Sequence, residues 1–487
     1  MKMKEVRAMN CLVCRTITLS LIAILAANLR TGVAQESPLR QQSIVAMRNA
    51  AEFYRNQVAS HGGYVYHYSL DLDQRWGEGI ATKDQIWIQP PGTPTVGLAY
   101  LKAYKATGEP FYLDAATDAA LAAAYGQLHS GGWTNSVDFD PNSPRTAAYR
   151  NGKGRGKNNS SLDDGQTQSA LRLMIHVDGA LDFKNKSIHD SAAIGLEALL
   201  NAQFPNGGFP QVWEAPVEAR PIVKANVPEY DWRTEGRIKN YWDMYTLNDN
   251  VTGYVADTLI DAVTIYRDKR YAAAVRKLGD FLLLAQMPEP QPGWAQQYNY
   301  AMQPIWARKF EPPGVSGDET QEVLDTLMKI YRVTGDRRYL EPIPRALAWL
   351  KRSLLRDGQF ARYYELRTNQ PLYMSRRGDT YSLTYSDSDL PSHYGWKTDS
   401  RIDEIEQQYH QLLSSRTPTE PAPIEVPNEQ TVRRLINSLD SEGRWVSTFD
   451  GERLVGQAKM AVGTKYLSSQ VFSDNLATLS DFLNSGN

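Results

Sequence analysis

The sequence has little cysteine, little histidine and almost no net charge. Its 487 residues include 2 cysteines and 7 histidines, and the formal net charge at pH 7 is -2. Without a basic excess the chain does not have the composition of a dedicated nucleic-acid binder, so no nucleic-acid partner is expected. Hydrophobic residues make up 42% of the chain, enough to bury a large core, so global disorder is not expected.

Both cysteines, Cys11 and Cys14, lie in a segment with the pattern of a secretory signal. Basic residues at positions 2, 4, 7 and 15 accompany an apolar run at residues 17–27, which is too short to span a bilayer. Gly-Val-Ala at residues 32–34 is the predicted cleavage site, which gives a signal peptide over residues 1–34. We therefore expect a secreted or periplasmic protein with no membrane span after cleavage. The mature chain would hold no cysteine and would be stabilised by packing.

A recurring turn is the most informative feature that the sequence does contain. At residues 201–211 an apolar helix end is followed by Asn-Gly-Gly-Phe-Pro, and related Gly-aromatic turns occur at residues 128–133, 284–297 and 355–360. A second unit, a break between two tyrosines, recurs at residues 104–114, 266–271 and 331–340. Helix, tight turn, helix and Gly-aromatic turn in repetition predict an all-α fold. The expected architecture is an (α/α) toroid or barrel of helical hairpins with short β pieces in its loops.

The spacing of apolar residues predicts where the helices lie. They are predicted at residues 43–56, 96–106, 111–128, 167–178, 188–201, 250–266, 271–284, 319–333 and 340–355. Strand signal is weak and is confined to short pieces around Tyr64, Gln297 and Tyr363.

The composition also predicts a division of the mature chain. Residues 35–416 are expected to form the toroid and to carry catalysis, residues 417–428 a proline-rich linker, and residues 429–487 a C-terminal helical appendage. Two long insertions, at residues 140–161 and 215–242, interrupt the rhythm of the hairpins. Loops of this length are usually functional or disordered.

Two acidic turns each open a predicted helix after a long loop. The first contains Asp163 and Asp164, and the second contains Asn248 and Asp249. Taken singly, such aspartates are most often N-caps that bind free backbone N–H groups. Two such turns at one rim would instead bring carboxylates together, and Ca²⁺ takes oxygen ligands of this kind. The sequence leaves both interpretations open.

Arginines follow later turns of the repeat. Arg308 lies between aromatic residues and before two prolines, Arg362 precedes two tyrosines, and Arg376 and Arg377 are adjacent. One arginine alone is a common surface feature, but arginine pairs geometrically with carboxylate, so the group together predicts an anionic ligand. The histidines are few and scattered, so the sequence gives poor support to a histidine-based acid–base mechanism. It contains neither a phosphate-binding loop nor a Gly-x-Ser-x-Gly motif.

At these residues the chain resembles the pectic acid lyases, the family-10 polysaccharide lyases that cleave polygalacturonate by β-elimination. The resemblance implies a toroid of α-hairpins with an open groove, a calcium ion that bridges enzyme and uronate carboxylate, and an arginine as the base. The matching segments keep the same order from Asp163 to Arg377, at residues 161–167, 201–211, 247–250, 306–312, 316–317 and 361–376.

Carried over position by position, the resemblance implies site roles. Arg376 corresponds to the catalytic base, and Asp163 and Asp249 correspond to metal ligands. Arg377 departs from the family pattern, which commonly has an acidic residue directly after the base. The implied substrate-binding residues are Asn248, Arg308, Arg362 and Arg377. The expected protein is a monomeric, secreted pectate lyase that acts on polygalacturonate and pectic oligosaccharides.

Two other functions stay open. An α/α-toroid glycoside hydrolase that acts on uronides would need two carboxylates around the scissile bond, and Asp163 and Asp249 could serve. A catalytically inactive glycan-binding relative is the second alternative, because Arg377 and the long loop at residues 215–242 depart from the family pattern. Ultraviolet absorbance by an unsaturated product would separate the lyase from both.

Overall fold

One structural unit recurs along the chain: a short strand, an inner helix, an outer helix and a second short strand that pairs with the first. The computed structural model describes residues 38–233, 239–414 and 426–485. The predicted signal peptide and most of the predicted linker lie outside these residues. The helices of the described residues are α1 Pro38–Phe53, α2 Thr93–Thr107, α3 Pro110–Tyr125, α4 Gln166–Ala180, α5 Lys186–Asn201, α6 Val251–Tyr266, α7 Lys269–Ala285, α8 Gly317–Thr334, α9 Ile343–Ser353, α10 Ile402–Ser414, α11 Glu429–Asn437 and α12 Ser469–Asn484.

The prediction of a fold built from helical hairpins is confirmed. Each of the nine predicted helices is present, and most ends lie within three residues of their predicted positions. The one larger difference is at the first helix, which begins five residues earlier at Pro38 and is followed by a π-helical turn at Tyr54–Val58. Helix α9 is preceded by a separate 3₁₀ turn at Arg337–Leu340. Within the described residues no helix is long and apolar enough to cross a membrane.

The inner helices α2, α4, α6 and α8 contact one another in sequence order, and the outer helices α3, α5, α7 and α9 each pack on the inner helix that precedes them. A short antiparallel ladder closes each hairpin at the end where the inner helix begins. The paired strands are β3 Gln85–Trp87 with β4 Ser136–Asp138, β5 Ser160–Ser161 with β6 Val212–Trp213, β7 Tyr245–Thr246 with β8 Gln297–Tyr298, and β9 Val315–Ser316 with β11 Tyr363–Tyr364. The first residues of all inner helices therefore lie at the strand-bearing end of the fold.

The recurring Gly-aromatic turns have one common geometry. In each turn a backbone N–H returns to a carbonyl four to six residues later, as from Leu128 to Gly132 and from Phe204 to Gly208. The aromatic residues that follow are completely buried; they are Trp133, Phe209, Trp294 and Phe360. The turn therefore reverses the chain and also inserts a large side chain between neighbouring hairpins, which explains why it recurs.

The two chain ends build one further unit together. Strand β16 Lys465–Ser468 precedes α12, which packs on both α1 and the inner helix α2. Strand β1 His67–Ser69 follows α1 and pairs with β16, with His67 opposite Ser468. Helix α12 thus occupies an inner position and α1 an outer position, as in the other hairpins. The proposed division at residues 417–428 stays a prediction, but the segment after it packs on the helices of the toroid.

The described chain has more strands than the sequence predicts. The longest ladder joins β12 Pro371–Arg377 to β13 Thr380–Thr384 through a tight turn at Gly378 and Asp379. The remaining strands are β2 Arg75–Trp76, β10 Gln359–Ala361, β14 Lys397–Asp399 and β15 Val446–Thr448. Most are two or three residues long, too short for alternation of apolar and polar residues to reveal them.

Candidate active site

Two equivalent turns lie between a short strand and an inner helix. They are the 3₁₀ turns Asp163–Gly165 before α4 and Asn248–Asn250 before α6. In each turn the middle aspartate is left-handed, with φ 45° at Asp164 and 52° at Asp249. Aspartate tolerates this conformation better than most residues. The helix N-caps are Gly165 and Asn250, so the aspartates are not the capping residues that one interpretation of the sequence allowed.

The turns bring three carboxylates together. One oxygen each from Asp163, Asp164 and Asp249 lies within 4.8 Å of the others, and we call this group the acidic cluster. Amide side chains orient it: Gln211 Nε2 donates to Asp163 Oδ1 at 2.6 Å and Gln89 Nε2 donates to Asp164 Oδ2 at 2.9 Å. These distances fit charge-assisted hydrogen bonds, so the carboxylates are fixed from outside the cluster. The neighbouring Asn248 donates to Asp249 in the same way.

Mutual repulsion makes the acidic cluster costly without a counter-charge. Burial and the charges of Asp163 and Glu78 raise the pKa of Asp164 to about 6. Burial and the charge of Asp164 raise the pKa of Asp249 to about 8. Three convergent carboxylates with depressed acidity are a donor set that suits a hard divalent cation, because calcium is bound by carboxylate oxygens. The cluster therefore fits the calcium ion that the resemblance implies.

Arg362 lies beside the cluster and is nearly buried, with 13% of its side chain exposed. Its Nη2 donates to Asn248 Oδ1 and to Glu319 Oε1, both at 3.1 Å, and it lies 3.6 Å from Asp249 Oδ1. Burial lowers the pKa of Arg362, but the charges of Glu319 and of further neighbours, Asp249 among them, together raise it by more, so its pKa lies above the usual value. Arg362 is therefore a permanent positive charge at the edge of the acidic cluster.

Arg308 approaches the cluster from another loop. Its Nη2 lies 2.5 Å from Glu311 Oε1. Burial lowers the pKa of Arg308, but the hydrogen bond and the negative charge of Glu311 raise it by more, so the pKa lies above its usual value. Burial raises the pKa of Asp163, and the hydrogen bond from Gln211 lowers it. The positive charge of Arg308 also lowers this pKa, so Arg308 acts electrostatically on the acidic cluster.

One tyrosine connects the two arginines. The guanidinium carbons of Arg308 and Arg362 lie 5.6 and 4.8 Å from the ring centre of Tyr394. The hydroxyl of Tyr394 donates to Glu311 Oε1 at 2.9 Å and meets the hydroxyl of Tyr363 at the same distance. Tyr394 thus fixes the spacing between two positive groups, and cation–π contact stabilises both.

Arg376 and Arg377 lie farther out, at the end of β12. Arg376 Nε donates to Gly378 O at 2.7 Å, and its guanidinium stacks on Tyr381. Burial and the charges of Arg376 and Arg308 lower the pKa of His393, so Arg376 and Arg308 both lie near His393. Successive residues of a strand point to opposite faces, so Arg377 faces away from that group.

Two cavities flank the acidic cluster. The first, which we call the main cleft, has a volume of about 960 Å³, and both Asp164 and Asp249 line it. The second has a volume of about 740 Å³ and is lined by Asp163 together with Trp213, Tyr241 and Trp242. A chain of sugars could therefore pass over the cluster from one cavity into the other. Aromatic side chains such as those in the second cavity present an apolar face to sugar rings.

The structure brings together five of the seven predicted site residues: Asp163, Asn248, Asp249, Arg308 and Arg362. Sequence reasoning named Asp164 only as an alternative cap, although its place before Gly165 matches that of Asp249 before Asn250. It also missed residues that act through distant contacts, namely Gln89, Gln211, Glu319 and Tyr394. Gln211 ends the informative turn at residues 201–211, but the sequence context of the other three carries no signal of a shared site.

Comparison with known proteins identifies the segment that carries this site. The family model for pectic acid lyase matches residues 127–361, slightly less than half of the chain. The match confirms the resemblance and shows that the chain is a polysaccharide lyase. It includes the acidic cluster and Arg308, and it ends one residue before Arg362. No curated protein matches the chain significantly.

Solved structures give more distant likenesses. A mutant of a family 10 polysaccharide lyase from Cellvibrio cellulosa, in complex with trigalacturonic acid, is 21% identical with a TM-score of 0.46, and the alignment covers 61% of this chain and 93% of that one. The cellobiose 2-epimerase from Spirochaeta thermophila is 13% identical with a TM-score of 0.45, over 93% of this chain and 99% of the other. At these TM-scores the likenesses assign no residue roles.

Proposed function

We propose that this polysaccharide lyase, identified by its pectic acid lyase segment, is a pectate lyase that cleaves polygalacturonate by calcium-assisted β-elimination. The observation that carries the proposal is the acidic cluster with Arg308 and Arg362 beside it, at a rim between two cavities. A uronic acid polymer is a polyanion, so its binding needs positive charge. Two fixed arginines and a cation-binding cluster supply that charge at one place.

Asp163, Asp164 and Asp249 would hold the calcium ion. When bound, the ion supplies positive charge against the carboxylate of the sugar that reacts. The carboxylates of the cluster are already oriented by Gln211 and Gln89, so little reorganisation is needed to bind it. Arg362 neutralises part of the remaining negative charge, and it leaves the cluster able to accept a divalent ion.

The chemistry removes the C5 proton of a galacturonate and expels the oxygen at C4. The C5–H electrons form the C4–C5 double bond, the C4–O bond breaks, and the departing oxygen takes up a proton. Negative charge develops on the carboxylate next to C5 in the transition state. Arg362 would stabilise that charge, because preorganised positive groups act most strongly where water is excluded.

An arginine would take the C5 proton, and two candidates compete. The resemblance assigns the role to Arg376, whose hydrogen bonds within the described residues go to Gly378 and Asp379 of its own hairpin turn. Geometry favours Arg308, because C5 is one bond from the carboxylate carbon and the base must therefore lie near the acidic cluster. Arg308 influences both Asp163 and Asp164. Its pairing with Glu311 opposes the role, but a bound divalent ion would lower its pKa.

Activity on polygalacturonate tests the function. Purified protein should produce near-ultraviolet absorbance from unsaturated chain ends, more strongly with added Ca²⁺ and not with a chelator. Chain shortening without absorbance would indicate the glycoside hydrolase instead. Retention in affinity electrophoresis without any shortening would indicate the inactive glycan-binding relative.

Paired substitutions decide between the two bases. Arg308→Ala should lower kcat by about 10³-fold or more if it is the base, and Arg376→Ala then by no more than about 10-fold. The opposite pattern would assign the base to Arg376, as the resemblance does. Arg377→Ala is the matched control, since it removes a neighbouring charge on the other face of β12. Binding of trigalacturonate should persist in the Arg376→Ala and Arg377→Ala variants and weaken in Arg308→Ala, which removes one positive charge from the binding site.

Export and monomeric state are parts of the same proposal. The N-terminal leader pattern supports a location in the periplasm or the medium, where pectic polymers are accessible. N-terminal sequencing of the exported protein should find a mature chain that begins near residue 35. Size-exclusion chromatography with light scattering should find one chain per particle.

A further inference from the structure

One wall of the main cleft comes from the C-terminal part of the chain. The segment at residues 453–459, which we call the C-terminal loop, lines the cleft together with residues 76–80 and the acidic cluster. Both segments lie outside the matched residues 127–361. The cleft is thus completed by parts of the chain that the catalytic segment does not include.

The C-terminal loop is held in place by specific contacts. Gly456 has φ 72°, and a Cβ at this position would lie 2.2 Å from Gly77 O. The fit therefore requires glycine, and the loop lies directly against residues 76–80. His67 Nε2 donates to Val455 O at 3.1 Å, which ties the loop to strand β1. The wall is part of the fold and does not need a ligand to form.

Two positive side chains on this wall are available to a ligand. Arg453 and Lys459 are exposed and line the main cleft. Among the salt bridges of the described chain, none involves either residue. Arg453 Nη1 donates to His393 O at 3.3 Å. The next residue, Tyr394, is the tyrosine that contacts both Arg308 and Arg362. The loop is therefore in contact with the segment that positions the catalytic arginines.

We propose that Arg453 and Lys459 form an additional subsite that binds a carboxylate of a galacturonate unit next to the one cleaved, so that the C-terminal loop favours longer substrates. This inference rests on the proposed function, since it takes polygalacturonate as the substrate. Every unit of that polymer carries a carboxylate. A volume of about 960 Å³ is at the upper end for ligand cavities, so the cleft has room beyond a single sugar.

The acidic floor of the cleft explains why these cations are needed. Asp164, Asp249 and Glu78 all line it, and they repel a polyanion wherever no cation lies between. Positive charge on the wall offsets this repulsion for the units that do not reach the acidic cluster. Trp76 lines the same cleft and offers an aromatic face for the sugar ring.

The test compares substrates of two lengths. In the Arg453→Ala/Lys459→Ala double variant, KM for hexagalacturonate should rise by about 3- to 20-fold, as expected for the loss of two exposed ion pairs. The ratio of kcat/KM for hexamer over trimer should fall by a similar factor. A general loss of structure would lower kcat/KM for both substrates together and leave their ratio unchanged. Arg453→Lys/Lys459→Arg, which keeps both charges, should restore the ratio.

Lys465→Ala is the control, because it removes an exposed positive charge from β16 in the same part of the chain without touching the cleft. An unchanged hexamer-to-trimer ratio in the double alanine variant, with active wild type, would overturn the subsite. If the wild type cleaves no polygalacturonate, the proposed function fails instead. Calorimetric titration with hexagalacturonate then decides the subsite: equal affinity of wild type and double variant would reject it.

Discussion

Replacing Arg362 with alanine should destabilise the protein by about 3–5 kcal/mol at pH 7, the usual cost of removing one partner of a buried ion pair. The Arg362 Nη2 lies 3.1 Å from Oε1 of Glu319, and only 1% of the Glu319 side chain is exposed. Without the arginine, no ion pair among the described residues places a cation beside this carboxylate, in a site that water barely reaches. Ser316 still donates to it, but a hydroxyl compensates only part of a buried charge.

A second substitution separates the charge effect from lost packing. Glu319→Gln in the Arg362→Ala background removes the orphaned charge and keeps the volume, so the double variant should lose only about 1–2 kcal/mol. The double variant should therefore be about 2–3 kcal/mol more stable than Arg362→Ala alone. Urea unfolding followed by tryptophan fluorescence, with chelator present so that no cation compensates, measures the stability of the wild type and of both variants.

An exposed ion pair provides the control for this comparison. Lys351 and Glu406 lie 2.7 Å apart, with 50% and 34% of their side chains exposed. Lys351→Ala should therefore cost no more than about 0.5 kcal/mol. The reasoning would be refuted if Arg362→Ala cost less than about 1 kcal/mol, or if the double variant were as unstable as the single one.

Three further outcomes follow from the geometry. With chelator present, the melting temperature should fall as the pH rises from about 5 to about 9. In the folded state the pKa values of Asp164 and Asp249 are about 6 and 8, so these residues still hold protons that the unfolded chain has already lost. Asp249→Asn or added Ca²⁺ should flatten this slope, and an unchanged slope would contradict the assignment. Gly207→Ala should destabilise the protein by about 2 kcal/mol or more in denaturant titration, because φ is 95° and the added Cβ would lie 1.8 Å from a backbone oxygen of α7. Gly335→Ala is the control: the space around it is open, so this substitution should cost about 1 kcal/mol. Tyr394→Phe should lower kcat on polygalacturonate by about 10-fold, because it removes the hydroxyl that donates to Glu311, the ion-pair partner of Arg308. The melting temperature should change little. Equal kcat in the variant and the wild type would show that this hydroxyl plays no part in catalysis.

The helices could be predicted because their information is local. Apolar residues at helical spacing place α4 at Gln166–Ala180 and α6 at Val251–Tyr266, within two residues of the expected ends. The Gly-aromatic turns are also local signals, and they recur because each must reverse the chain and bury Trp133 or an equivalent ring. A repeated unit of this kind predicts a helical toroid before any contact is known.

Features that depend on distant contacts could not be predicted. Pairing of β1 with β16 joins positions about 400 residues apart, and nothing near His67 or Ser468 signals the partner. The same holds for Tyr394, whose role depends on two arginines from different loops. The acidic turns lie between these extremes: each is visible in sequence, but their proximity follows from the packing of α4 against α6.

The most direct test of the central claim is the stoichiometry of the products. Polygalacturonate is incubated with metal-free protein under increasing Ca²⁺, and new reducing ends and new unsaturated ends are counted in the same samples. Elimination at the acidic cluster predicts one unsaturated end for each new reducing end, with both counts rising as calcium is added and both lost in Asp249→Ala. Reducing ends formed without unsaturated ends, or cleavage unaffected by calcium and by that substitution, would contradict the account.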